Sequence, residues 1–382
     1  MPVTQAPARP PRVRIAARFN RLLASPRFQR IAAGIPLLRR QVRRDGEALF
    51  DLIAGFCTSQ CLMALVSLRI PDMLLDGPLS AARIARRCDV PPERMEVLLR
   101  ANVAGGLLRI TRADDYALTR KGAALAGVPG LREMILHHEV LYRDLADPVA
   151  FLRGTTETEL AGFWPYVLGA GARGDPDLAA RYSALMEQSQ HLVAQDTLAA
   201  IDLGNVRCLM DIGGGTGAFL RAACAAAPKM KGILFDLPEV VRAAEAPLAA
   251  AGLGDRVRVE AGSFRDGALP EGADAISLIR VLYDHSDDTA TALLRAVYRR
   301  LPPGGSLYIS EPMTGGARPS VAGDVYFALY TMAMRTGKAR SPAAIKALCR
   351  AAGFVEINTP AIRRPFVTSV VIARKCQSKL TD

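Results

Sequence analysis

The sequence predicts an α/β protein whose last domain is a doubly wound, mainly parallel sheet, preceded by a smaller helical domain of winged-helix order. Three observations carry this. From residue 207 onward, short apolar runs alternate with helical stretches, as crossover helices between parallel strands require. The glycine-rich turn DIGGGTG, at 211–217, joins the first of those runs to the first of those helices. Upstream, residues 80–118 read helix, helix, hairpin. With 382 residues, half of them apolar and 23% charged, the chain is long enough for two or three domains with full cores.

In chain order, residues 1–46 form a basic arm with eleven arginines against one acid, Asp45, so most of the net charge of +12 resides there. Patches of helical period run over 14–44 and break at Pro26 and Pro36. Such an arm is either solvated and partly disordered or apposed to an anionic surface, lipid headgroups or nucleic acid. A helix over about 47–70 follows. Residues 52–68 carry no charge, close to the lower limit for a membrane span. Thr58, Ser59, Gln60 and Ser67 dilute that run and Arg69 and Pro71 end it, so a helix buried in a subunit interface is expected.

The domain at 47–128 continues with a helix at 80–88 capped by Ser80 and a helix at 91–104 opened by proline. Strands at 107–110 and 116–118 flank the turn Ala113-Asp114-Asp115, and Thr119 caps one more helix. This is also the order of DNA readers. Yet the second helix sets Glu93 and Glu96 against Arg94 and Arg100, whereas a reading helix needs cationic and amide side chains toward bases and phosphates. Dimerisation, without nucleic acid, is the expected role. A winged-helix DNA-binding ligand sensor is the alternative of another class, and steep salt dependence of duplex binding would mark it.

Seven cysteines include no CxxC pair, and Cys57 and Cys61 have no histidine beside them, so no metal site is expected. His137 and His138 are adjacent, point to different sides of a helix, and are not expected to pair on a metal. A start rich in proline and arginine predicts no secretory signal, and a reduced cytoplasmic location fits. Residues 129–205 read as wholly helical, with an aromatic cluster at Phe163, Trp164 and Tyr166. The final domain, 206–382, places strands at 208–212, 232–236, 257–260, 275–281, 306–310 and 366–373, with helices at 216–227, 238–251, 287–301 and 342–352.

The chemistry centres on the glycine turn. Gly213, Gly215 and Gly217 let backbone approach a ligand closely, and Asp236, ending the next strand, can accept hydrogen bonds from ribose hydroxyls. A nucleoside-bearing cofactor follows. Gly213, Gly215 and Ala218 also satisfy the dinucleotide pattern, which keeps NAD as a rival. Asp211 favours S-adenosylmethionine, because a carboxylate suits a cationic amino group and repels a pyrophosphate. The nucleotide domain is also the last one, leaving no room for a following substrate domain.

With these motifs in this order, residues 47–375 resemble the plant caffeic-acid-type O-methyltransferases and their bacterial relatives. The resemblance implies a Rossmann-like methyltransferase domain behind a winged-helix dimerisation domain, and a homodimer. It implies that Asp211, Gly213 and Gly215 line the methionine side of S-adenosylmethionine and that Asp236 holds the ribose. Gly217, Leu237, Ser263, Phe264 and Arg280 join the cofactor contacts by the same correspondence. That family reads Lys-x-x-x-His-Asp-Trp after the fourth strand, with the histidine as general base. Here the run is IRVLYDHSDD at 279–288, so Ile279, Tyr283 and His285 stand where the lysine, histidine and tryptophan would. The expected acid after the third strand is Ser263, and one supporting glutamate is Ala339, whereas Glu311 matches the other.

YDH, the run YFALYTMAM at 326–334 and the arginine arm are similar to one branch, the bacterial carotenoid O-methyltransferases, which methylate a tertiary alcohol on a long polyene. An aliphatic alcohol cannot be ionised in advance by an imidazole of pKa about 6.5, so the proton must leave late, as the carbon–oxygen bond forms. His285 is then the expected base, with Tyr283 and Asp284 orienting; Glu311 either orients a histidine or caps a loop. By resemblance Tyr182 and Met186 contact substrate, and Phe163, Trp164, Phe327, Tyr330 and Met334 are further candidates for an apolar wall. The alternatives are a phenol or a bacteriochlorophyll precursor as acceptor. The basic arm is expected to touch the inner membrane peripherally, where such a pigment dissolves.

Overall fold

The computed structural model describes residues 11–162, 190–266 and 269–377. The chain forms two compact units, Met1–Ala124 and Leu125–Asp382.

In the first unit the arm is helical from Pro11 onward. Helices α1 (Pro11–Leu23), α2 (Pro26–Gly34) and α3 (Pro36–Ser67) each begin on a proline, whose missing N–H costs nothing in a first turn. The third helix therefore starts at Pro36 rather than near 47, and the arm's last arginines ride on it; Arg43 pairs with Glu47 at 2.7 Å. Among the described residues α3 is the one helix long and apolar enough to cross a membrane, and only 11% of its most apolar window is buried within the chain. Leu65 and Val66 are buried, but Leu49, Phe50, Leu52, Ile53 and Phe56 are exposed, so the first half of the stretch expected in a subunit interface finds no cover among the described residues.

Helices α4 (Ile70–Met73), α5 (Ala81–Cys88) and α6 (Pro92–Ala104) lead to an antiparallel pair, β1 (Leu108–Ile110) and β2 (Tyr116–Leu118), to which Leu79 bridges. This is the expected helix, helix, hairpin order. Ser80 holds the N-cap position of α5 without making the side-chain bond expected of it. Thr119 does cap α7 (Arg120–Gly127), accepting the Gly122 N–H at 3.1 Å. The Tyr116 hydroxyl donates to Glu96 at 2.8 Å, pinning the wing to α6.

The second unit opens with α8 (Leu131–Asp144), α9 (Pro148–Leu152), α10 (Glu159–Gly162) and α11, which spans 190–198. Buried Asp144 accepts the N–H groups of Glu159 and Leu160 at 2.7 and 3.1 Å, which holds α10 against α8. Phe163, Trp164, Tyr166, Tyr182 and Met186 lie outside the described residues.

Seven strands then form one sheet in the order β5-β4-β3-β6-β7-β9-β8. They are β3 (Cys208–Ile212), β4 (Lys231–Asp236), β5 (Val257–Ala261), β6 (Ala275–Ile279), β7 (Ser306–Glu311), β8 (Val355–Asn358) and β9 (Ser369–Arg374). All pairings are parallel except those of β9 with β7 and β8. Period-two alternation sends Met210, Ile212, Ile276, Leu278, Leu307 and Ile309 to one face, under α15 (Asp287–Arg300) and α17 (Pro342–Ala352). Leu209, Ala275, Ile279 and Tyr308 point to the other, under α11, α12 (Ala218–Ala226) and α14 (Glu245–Ala250). Chain order reverses between β3 and β6, and the crevice beyond their carboxyl ends is where such sheets bind ligands.

Besides the earlier start of α3, the stretch 129–205, expected to be wholly helical, breaks between α8, α9 and α10, and three further elements differ from expectation. The helix expected over 238–251 is two, α13 (Pro238–Val241) and α14. β8, a short and mostly exposed edge strand, carries no apolar run to announce it. Residues Val321–Phe327 form a π-helical turn that leads into α16 (Ala328–Ala333).

In the first unit, a Cβ at Gly122 would stand 2.1 Å from the Leu107 carbonyl oxygen, a backbone atom that cannot swing away. Gly122→Ala is therefore expected to cost about 1–3 kcal/mol, read as a lowered urea midpoint with an unchanged slope.

Candidate active site

The glycine turn leaves β3 with Gly213, Gly215 and Gly217 at φ of +67°, +58° and +77°, a region closed to most side chains. Gly214 is constrained by space instead: a Cβ there would meet Leu234 at 2.3 Å and Asp211 Oδ2 at 2.8 Å. The turn thus folds over a buried carboxylate. Ser277 of β6 donates to Asp211 Oδ1 at 2.6 Å, while Asp211 Oδ2 is buried without a hydrogen-bond partner. Burial pushes the Asp211 carboxyl up to about 7, against the opposing pull of the Ser277 bond. At the end of β4, Asp236 accepts the N–H of Gly215 and of Leu237, both at 2.7 Å, and burial raises its pKa as well. Each Asp236 oxygen keeps a lone pair for a further donor.

These residues fit the expected cofactor. An unpartnered buried carboxylate oxygen suits an ammonium group, left-handed glycines open the backbone beside it, and Asp236 can receive ribose hydroxyls.

The second part of the site is the 280–287 loop, on the other side of β3. It starts under strain: Arg280 is at φ +60°, unusual for a side chain of its size, and its N–H bonds Ser310 O at 2.7 Å. The Arg280 guanidinium hydrogen-bonds Tyr283 and lies near Asp284. Both of those residues are buried, and burial drives each pKa upward. Glu311 is fully buried and accepts the Tyr283 N–H at 3.1 Å on one oxygen, while its other oxygen is buried without a hydrogen-bond partner. Burial pushes its carboxyl up to about 7. Arg340 holds the loop from beneath, donating to the carbonyls of Leu282 and His285, both at 2.7 Å, and to Asp287 at 2.8 Å.

The His285 ring has neighbours on the β5 side. It lies edge-on to Phe264 at 5.2 Å, and Nδ1 is 3.4 Å from the Arg265 guanidinium. Burial, then the charges of Arg265 and Arg340, lower its pKa to about 4. Ser263 accepts the Arg265 N–H at 3.2 Å, so Ser263, Phe264 and His285 form one wall next to the end of β5.

A third group lies on α8 and the 321–334 segment. Tyr330 and Met334 belong to an apolar cluster with Val140, Leu141, Phe151 and Leu160, while Phe327 is only partly buried and packs edge-on to Tyr326. Beside this cluster lie polar groups to which sequence reading gave no role in the site: His137, His138 and Tyr326. Arg340 was missed too. A cation in the run GKARS was its only outward sign.

Comparison with known proteins places this geometry. A model of the O-methyltransferase dimerisation domain matches residues 50–127, and one of the O-methyltransferase domain matches residues 142–355. The chain is 54% identical over 353 residues to demethylspheroidene O-methyltransferase of Cereibacter sphaeroides, covering 92% of this chain and 93% of that protein. It is 47% identical over 370 residues to the protein of the same name from Rhodobacter capsulatus, covering 97% and 92%. Human N-acetylserotonin methyltransferase, solved in complex with SAM, superposes with a TM-score of 0.71 at 25% identity, over 87% of this chain and 98% of that one. The chain belongs to this family of S-adenosylmethionine-dependent, dimer-forming O-methyltransferases.

Two outcomes follow for cofactor binding. Asp211→Asn is expected to weaken S-adenosylmethionine by about 1.5–3 kcal/mol, the worth of a charge-assisted bond, measured by calorimetry. In the free protein the Asp211 carboxyl sits at about 7, and only its ionised form favours the cation, so affinity is present above that pH and lost as pH falls through it. Below it, affinity should drop by up to about tenfold per pH unit, with a proton released on binding; equal heats in buffers of different ionisation enthalpy would contradict this.

Proposed function

We propose that this methyltransferase acts on the tertiary hydroxyl of an acyclic carotenoid of the demethylspheroidene or hydroxyneurosporene type. The observation that carries the reading is what stands at position 283. A buried tyrosine whose own pKa is raised occupies the place of the family's imidazole, so the loop has no group there able to ionise a phenol. An aliphatic alcohol needs no such group. Near-full-length likeness to two demethylspheroidene O-methyltransferases supports the same acceptor.

When bound, S-adenosylmethionine supplies an electrophilic sulfonium methyl. The chain's residues do the rest. Asp211, with Gly213, Gly215 and Gly217 beside it, holds the cationic amino end, and Asp236 with the Leu237 backbone holds the ribose. Ser263 and Phe264 wall the base end. Expected to be the proton acceptor, His285 reads better as part of that wall, because its ring meets Phe264 and a guanidinium rather than the Tyr283 group. Arg280, Tyr283 and Asp284 face the acceptor, and Glu311 and Arg340 keep their loop in place. Phe327 belongs to an apolar wall, Tyr330 and Met334 back it from the core, and Phe163, Trp164, Tyr182 and Met186 are candidates for the same wall from the sequence alone. Rate then comes largely from aligning oxygen, methyl and sulfur.

Its parts are an arm at 1–46, a dimerisation domain to 128, a helical linker to 205 and a catalytic domain to the end. The protein works in the cytoplasm, with the arm laid on the inner membrane. Arg18, Arg21, Arg27 and Arg30 are exposed on α1 and α2 together with Phe19, Leu22 and Ile31, which suits an interfacial helix pair.

Incubation with labelled S-adenosylmethionine and a panel of carotenoids, phenols and chlorins should label the tertiary-hydroxyl carotenoid; label in a phenol or chlorin alone would transfer the assignment to that class. Replacing Arg18, Arg21, Arg27 and Arg30 with glutamate should abolish sedimentation with anionic vesicles, since each is worth about 1 kcal/mol at such a surface. Unchanged sedimentation would end the membrane role.

A further inference from the structure

His137 and His138 follow one another on α8, yet both rings reach the same partner segment. His138 Nε2 is 2.7 Å from the Tyr326 hydroxyl, and His137 Nε2 is 2.9 Å from the Tyr330 hydroxyl. The two tyrosines are four residues apart, where the π-helical turn passes into α16, so both face α8. The His138 and Tyr326 rings meet edge to face at 5.2 Å. Apolar side chains would fill such a core without the cost of desolvating two imidazoles and two phenols. Their presence points to a task.

The groups around this cluster tie it to the reacting centre. The Tyr326 and Tyr330 rings lie 6.0 Å apart. Both hydroxyls feel the charges of Arg280 and Tyr283 in the loop after β6; Tyr326 also feels Tyr142 on α8, and Tyr330 also feels Asp284. Of the two tyrosines, Tyr330 is sealed at 8% exposure, whereas Tyr326 is only partly buried.

We propose that Tyr326 and His138 are the proton exit for methyl transfer, Tyr326 touching the substrate hydroxyl and His138 acting through it as a positioning residue that receives the proton. The proposal rests on the alcohol-acceptor reading above. The hydroxyl oxygen uses one lone pair for the new bond to carbon, and the electron pair of the carbon–sulfur bond stays on sulfur, which becomes a neutral thioether. The oxygen's proton passes to Tyr326 as the Tyr326 proton passes to His138 Nε2. One positive charge disappears at sulfur and one appears on imidazole, which returns its proton to water between turnovers.

Acid strength makes this workable. An ether oxygen that still carries its proton is a far stronger acid than any imidazolium, so even a weak base accepts from it. Burial, then the neighbouring His137, lower the His138 pKa to about 4, which keeps the ring unprotonated at neutral pH. Burial lowers His137 in the same direction.

The test uses the full chain with S-adenosylmethionine and whichever alcohol it methylates. Tyr326→Phe and His138→Gln should each lower kcat by about 10²–10⁴, leave KM and cofactor affinity unchanged, and show no further loss when combined. In the parent protein kcat should stay level down to about pH 5, without the fall near 6.5 that an ordinary histidine base gives. Full kcat in His138→Gln, or a change in KM alone, would overturn the proposal. Should a variant fail to bind cofactor, nitrogen-15 spectra of the four histidine rings in the parent decide instead. An unprotonated Nε2 on His138 at neutral pH supports the exit, and an Nε2–H tautomer or an imidazolium overturns it. If no alcohol in the panel is methylated, the acceptor assignment fails by itself, and the spectra still report on the histidine.

Discussion

The site depends on keeping a carboxylate in a place where water cannot reach it. Asp211 ends a central strand, is 1% exposed, and leaves one oxygen without a donor. Such a group is tolerated only if something cationic completes it or if it holds a proton. The surrounding sequence serves that condition. Ser277 satisfies the other oxygen from the next strand, and the glycines fold the turn tightly enough to exclude solvent. Asp236 then fixes the turn from the far side through the Gly215 N–H.

The 280–287 loop shows the same economy. Its backbone would carry buried carbonyls and N–H groups with no ladder to join. Arg340 and Glu311 meet them from a distant loop and from the end of β7, one as donor and the other as acceptor. A single guanidinium with several fixed donors can serve two carbonyls and a carboxylate together, which lysine could not do with the same geometry. What stays variable is the set of side chains the loop presents, and those decide the acceptor.

Much of this was legible in the sequence. Buried parallel strands read as apolar runs, so six of the seven strands of the large sheet were placed, and the glycine spacing located the cofactor turn. Pro26 and Pro36 marked the breaks between the N-terminal helices, although charge hid the start of α3, because arginine-rich turns look like a tail. Arg340 stayed hidden because its partners at 282 and 285 are more than fifty positions away, and no local pattern encodes that meeting. His137 and His138 were set aside because neighbours on a helix diverge. That reasoning overlooked that two long rings can both reach tyrosines in the groove beside them. β8 is polar and exposed, so it had no hydrophobic signature to find.

The uncovered ridge on α3 bears on how the protein must be made and handled. A protomer released alone offers water a row of leucine, isoleucine and phenylalanine side chains. Wherever a twin covers that ridge, folding and pairing become one event, and the midpoint of thermal unfolding then depends on how much protein is in the tube.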